Sequence, residues 1–177
     1  MKKILILSMA SMVIFSCKKE TTTESPTVEP TAPSIEAPAV DVTAPTTDTA
    51  TAGETVKLEI TGDDAMKYNL SELKVPAGST VELTLVHIGK MSKDVMGHNW
   101  TLLTKGTNVE EFGLAAVGAK DTDYIPAGTT EVIIHTKMIG GGETDTITFQ
   151  APEAGTYDFI CTFPGHFGAM RGKFIVE

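Results

Sequence analysis

The chain has 177 residues, the scale of one folded domain with added segments rather than of two full domains. Its formal net charge is −9, from 14 basic and 23 acidic residues, and no basic patch is interleaved with aromatics. That balance argues against nucleic acid as a partner.

Residues 1–16 read as a signal peptide. Lys2 and Lys3 give a positive start, Ile4 to Phe15 form an apolar run, and Ser16-Cys17 closes it. The run is too short to span a bilayer as a mature helix. Ile14-Phe15-Ser16-Cys17 resembles a bacterial lipobox, in which cleavage leaves the cysteine first and lipid is joined to its sulfur. One acyl chain holds a protein only marginally on a membrane; the resemblance implies several chains on Cys17. The alternative outcome is a secreted chain with a free Cys17.

Residues 17–52 follow as a tether. From Glu20 to Ala52 the chain is rich in Thr, Pro and Ala, with five prolines and no aromatic residue. Such a stretch cannot bury enough apolar surface to offset the entropy of ordering it, so disorder is expected. It would span roughly 30 Å as a flexible coil and up to roughly 100 Å when stretched. The same composition serves equally as a spacer of no functional length.

Residues 53–177 form the expected domain, with 10 basic and 17 acidic residues. Glu54 to Ile60 alternates apolar and polar residues, and so does Ser79 to Ile88, where Val81, Leu83, Leu85 and His87 share a face. Glu131 to Lys137, Thr144 to Gln150, Thr156 to Phe163 and Gly172 to Val176 behave alike. Period-two runs separated by Pro76-Ala77-Gly78, Pro126-Ala127-Gly128 and Gly140-Gly141-Gly142 predict an all-β sandwich. Only Asn108 to Ala119 reads as helix, through Val109, Phe112, Ala116 and Ala119, and it is expected as one insertion.

With Cys17 assigned to lipid, Cys161 is the one cysteine of the domain. An exported chain normally pairs its cysteines, so a lone thiol there calls for a reason. Tyr157, Phe159 and Cys161 alternate on one strand face, which points Cys161 inward at the strand's end. Pro164-Gly165 then turns the chain, and His166 and Met170 follow in the same short loop. Thiolate and thioether favour copper(I), imidazole suits both copper states, and two His with one Cys and a distant Met make a blue-copper donor set. The second imidazole must come from elsewhere, and His98, in Met96-Gly97-His98-Asn99-Trp100 ahead of an apolar strand, is the best candidate. His87 reads as a core or near-site histidine, and His135 as a strand-surface residue with no ligand role.

Val95-Met96-Gly97-His98-Asn99-Trp100, His135-Thr136-Lys137 and the Cys161-Thr162-Phe163-Pro164-Gly165-His166 loop ending in Met170 closely resemble the azurins, within the cupredoxins. The resemblance covers nearly all of 54–177. It implies an eight-stranded Greek-key sandwich holding one copper per chain near one end, bound by His98, Cys161, His166 and Met170. It implies further that the Gly97 carbonyl is a weak axial contact opposite Met170. Asn99 would tie the two ligand segments together, and the N–H groups of Asn99 and Phe163 would point at the Cys161 sulfur. The family's disulfide near the N-terminus has no cysteines here, so that staple is missing.

By the same resemblance, Met66, Met96, Phe163, Pro164, Phe167 and Ala169 form an exposed apolar patch around His166; plain loop packing is the other reading. The function implied is outer-sphere electron transfer in the bacterial cell envelope, at the periplasm or the surface. A c-type cytochrome or a copper or haem reductase is the expected redox partner, and the lipid anchor is expected to supply the membrane contact. No substrate is bound, so an enzyme is not expected. Copper delivery or storage, a Cys161–His166 nucleophilic enzyme and a metal-free adhesion sandwich are the competing readings.

Overall fold

A computed structural model describes residues 53–177. The expected signal peptide (1–16), the tether (17–52) and the lipid site at Cys17 lie outside the described residues.

Eight strands form in chain order: β1 (Thr55–Gly62), β2 (Glu72–Val75), β3 (Thr80–His87), β4 (Thr101–Leu103), β5 (Val132–His135), β6 (Thr144–Gln150), β7 (Gly155–Ile160) and β8 (Arg171–Val176). They make two sheets, one ordered β1-β3-β6 and the other β2-β8-β7-β4-β5. Pairing is antiparallel except for β1 with β3 and β2 with β8. The architecture is the expected all-β sandwich.

Alternation explains the layering. In β3, Val81, Leu83, Leu85 and His87 are buried and the residues between them are half-exposed, because successive side chains leave opposite faces of a strand. Trp100 sits at the centre, its ring 5.6 Å from Phe159, 6.0 Å from Phe174 and 6.1 Å from Phe149. Both sheets therefore meet around one indole.

The helical insertion is shorter than the apolar spacing suggests. Helix α2 covers Val109–Ala116, following the single turn α1 (Lys93–Met96). Asn108 caps α2 by accepting from the N–H groups of Glu110 at 3.1 Å and Glu111 at 3.3 Å, and both acids sit favourably at the positive end of the helix. Beyond Ala116 the bonding tightens to a three-residue step, Ala119 N–H to Ala116 O at 2.9 Å, and a 3₁₀ turn follows at Lys120–Thr122. Phe112 packs with Leu103 and Ile160 beneath the helix. At Gly113 an added Cβ would meet the Phe167 ring at 2.4 Å, so the missing side chain lets that ring lie on the helix. Among the described residues no helix is long and apolar enough to cross a membrane.

Candidate metal centre

Strand β7 ends at Ile160 rather than reaching Phe163, and Cys161 is the first residue past it. The chain then makes a compact loop back to β8. The His166 N–H donates to Phe163 O at 3.0 Å across Pro164-Gly165, and Gly165 takes φ +84°. Proline followed by a left-handed glycine is the requirement of a type II turn. The Met170 N–H donates to His166 O at 2.7 Å, and the Cys161 N–H donates to Met170 O at 2.9 Å, closing the loop. The other segment, Gly97-His98-Asn99, is held by a two-way bridge between His98 and Ile139, at 2.9 and 2.8 Å.

These two segments bring His98, Cys161 and His166 together. One ligand atom from each lies within 4.8 Å of the other two, and all three side chains are buried. The Cys161 Sγ is 3.9 Å from His98 Nδ1, 3.6 Å from His166 Nδ1 and 3.8 Å from Gly97 O. His98 Nε2 stands 2.8 Å from Asp63 O, a carbonyl that only accepts. Nε2 therefore carries the ring proton, and Nδ1 keeps its lone pair facing the sulfur.

Electrostatics point the same way. Burial pushes the Cys161 thiol up to about 12, opposed by the N–H groups of Asn99 and Phe163 and by the Tyr68 hydroxyl. Burial, with added repulsion from His98 and His87, lowers His166 to about 4. Burial also lowers His98, against the pull of the Asp63 carbonyl. The pocket rejects protonated imidazole and bare thiolate alike. A bound cation resolves both, since it takes the two Nδ1 lone pairs and neutralises the sulfur. Two imidazoles and one thiolate suit copper.

Met170 is fully buried and packs with Cys161, Phe163 and Met138. Asn99, also fully buried, joins the segments: its Oδ1 accepts from Thr162 N at 2.9 Å, and its Nδ2 donates to Thr162 Oγ1 at 2.7 Å and to Asp123 O at 3.2 Å. His87 is buried beside the site, its ring stacked 4.3 Å from that of His98. Its Nδ1 accepts from Gly89 N–H at 3.0 Å, which leaves Nε2–H for Met96 O at 2.8 Å, so neither nitrogen is free for a metal. His135 is half-buried in β5 and pairs with Thr136 O.

The six residues of the expected patch are not alike. Met66 and Ala169 are exposed, and Met96, Pro164 and Phe167 are half-buried. Phe163 is turned inward with 9% exposure, its ring 4.7 Å from His166 and 5.4 Å from Tyr124. Two contributors were absent from the sequence reading, the Asp63 carbonyl and Tyr68. Nothing in the residue pattern marks them, because both act from a loop whose path depends on the finished fold.

A family model described as copper binding proteins, plastocyanin/azurin family, matches residues 54–177. An azurin of Achromobacter denitrificans is 43% identical over 120 residues, covering 64% of this chain and 78% of its own length. One of Pseudomonas chlororaphis is 37% identical over 128 residues, covering 68% and 98%. Among solved structures, auracyanin A, a "blue" copper protein from Chloroflexus aurantiacus, superposes with TM-score 0.63 at 35% identity over 70% of this chain and 99% of that one. An azurin of Methylomonas sp. strain J gives TM-score 0.62 at 32% identity, over 72% and 99%. The buried His-Cys-His group is a candidate single metal site within a sandwich of a copper-binding kind, and the chain belongs to the plastocyanin/azurin family of copper-binding proteins.

Proposed function

We propose that the protein is a lipid-anchored electron carrier of the bacterial cell envelope, at the periplasm or the surface. The observation that carries the electron-carrier part of this reading is the buried convergence of His98 Nδ1, His166 Nδ1 and Cys161 Sγ. Copper bound there supplies a one-electron Cu(I)/Cu(II) couple. Met170 would offer a thioether and Gly97 a carbonyl as further, weaker donors. Asn99 and the Asp63 carbonyl hold both segments still, so the pocket needs little rearrangement when the charge changes.

His166 is the exit. It makes no hydrogen bond through Nε2 among the described residues, and Met66, Met96, Pro164, Phe167 and Ala169 supply an apolar rim for a partner. Small interfaces, on the order of under 1,200 Å², suit partners that must part quickly. A c-type cytochrome or a copper or haem reductase fits that use. The acidic balance of the domain favours a partner with a basic docking face. Cys17, through lipid, would hold the chain at the membrane, with residues 18–52 giving reach.

The protein is not an enzyme in this reading. A nucleophilic cysteine needs a lowered pKa, whereas this thiol is driven upward in a pocket closed to substrate.

An absorption spectrum tests the proposal. The copper(II)-loaded domain is expected to be intensely blue from sulfur-to-copper charge transfer, and Cys161→Ser to be colourless. A wild-type chain that binds copper reversibly without that band would instead indicate delivery or storage.

A further inference from the structure

Strands β1 and β3 run side by side in parallel, and their last paired residues are Gly62 and His87. The Ile88 N–H still donates to Gly62 O at 2.9 Å. One step further on, a side chain takes over from the backbone. The Asp64 carboxylate accepts from the N–H groups of Lys90 at 2.8 Å and Met91 at 3.2 Å. Gly89 makes room for it, since an added Cβ there would collide with Asp64 Oδ1 and with the His87 ring.

Each of the two segments joined in this way carries a support of ligand His98. Asp63, next to Asp64, accepts from the His98 Nε2–H through its carbonyl at 2.8 Å. On the other segment, the Gly89 N–H donates to His87 Nδ1 at 3.0 Å, and the His87 Nε2–H donates to Met96 O at 2.8 Å. These bonds fix the His87 ring, which stacks on the face of His98 at 4.3 Å with 17° between the planes. We propose that Asp64 is a positioning residue for the metal ligand His98, its carboxylate clamping the edge support at Asp63 to the face support at His87.

A ligating imidazole must aim its lone pair at the metal, and the ring turns about two side-chain bonds. The bond at its edge fixes the tautomer but leaves the ring able to tilt; the stacked ring on its face stops the tilt. Both contacts act only while the segments that carry them keep a fixed spacing. The bonds from Asp63 Oδ1 to the N–H groups of Ala65 and Lys67 lie within the one turn and cannot set that spacing. Asp64 spans the gap. Lys90 and Met91 are exposed, so without the carboxylate their N–H groups would bond to water at little cost, and the two loops would be free to drift apart. The clamp therefore contributes more to the aim of His98 than to the stability of the domain.

The inference rests on the copper reading for calling His98 a ligand, and one of its measurements is independent of metal. In the copper-free protein, NMR of nitrogen-labelled histidine reads the His98 Nε2–H and, as an internal reference, the His135 Nδ1–H held by Thr136 O. Asp64→Ala is expected to speed solvent exchange of the His98 proton while leaving that of His135 unchanged. In competition against a chelator it should weaken copper binding about tenfold, the lower end of what ligand-orienting partners contribute. Asp64→Asn, which retains one acceptor oxygen, should fall between. Asn108→Ala is the comparator: it also takes an acceptor from two backbone N–H groups, at the start of α2, and should lower the urea midpoint without moving His98 exchange. An Asp64→Ala protein whose His98 exchange or copper affinity matches wild type overturns the proposal, and so does an Asn108→Ala protein that reproduces its effect. A wild-type protein without the blue band overturns the copper reading alone, and His98 exchange then still decides whether Asp64 positions that ring.

Discussion

Replacing Asn99 with Ala tests whether one side chain fastens the two ligand segments. The change removes the acceptor for the Thr162 N–H at 2.9 Å and the donor to Thr162 Oγ1 at 2.7 Å and Asp123 O at 3.2 Å. Thr162 is fully buried, so its N–H is left without a partner, which costs about 1–3 kcal/mol. Its hydroxyl is less affected, because Oγ1 still reaches Asp123 O at 3.4 Å. The lost donor bonds add about 1 kcal/mol, for a total of about 3 kcal/mol. In a domain of this size each kcal/mol moves Tm by roughly 4 °C, so the copper-free variant should melt roughly 12 °C lower. Urea unfolding of the copper-free domain gives the free energy, and chelator-driven copper release gives the effect on the site, expected to be faster. A loss under about 0.5 kcal/mol, the range of an ordinary surface change, would refute the fastening role.

Gly62→Ala should disturb His98 directly, since the new Cβ would lie 2.7 Å from its Cδ2 while the ring is held by Asp63 O and by stacking on His87. Overpacking of this kind costs about 1–3 kcal/mol, and competition against a chelator should show copper affinity down about tenfold or more. Met170→Gln should retain copper and the blue colour but lower the potential, measured by redox titration, as an oxygen donor replaces a thioether that favours copper(I). The copper-free domain should also be acid-sensitive. His166, held down to about 4, and His98, also lowered, stay neutral when folded, whereas the unfolded chain takes up protons near 6.5. Their stabilisation is complete above about pH 6.5 and is lost as pH falls toward about 4. Urea midpoints measured from pH 8 to pH 4 should fall through that window, and a flat profile would contradict it.

Much of this was legible because the informative residues recur with the period of the element that holds them. Val81, Leu83, Leu85 and His87 announce β3 and its inner face, and the Cys161–Met170 run announces a donor loop. β2 escaped because Glu72–Val75 offers too few residues to display alternation before Pro76. α1 escaped because a single turn has no periodicity. Phe163 reads as a surface residue from its place in a loop; in the fold it turns inward among Met138, Cys161 and Met170 and against Tyr124, which has φ +59° after the 3₁₀ turn. The Asp63 carbonyl carries no side-chain signature at all. Tyr68 reads as one more aromatic until the folded loop places its oxygen beside Asn99.

The distance along the chain between His98 and Cys161, 63 residues, has a kinetic meaning. Closing so large a loop is entropically unfavourable until the sheets around it exist, and β2 and β8 meet only by parallel pairing across the domain. Metal capture should therefore come after barrier crossing, making copper a lock on a completed structure. Copper would then retard unfolding strongly while leaving the speed of refolding almost untouched.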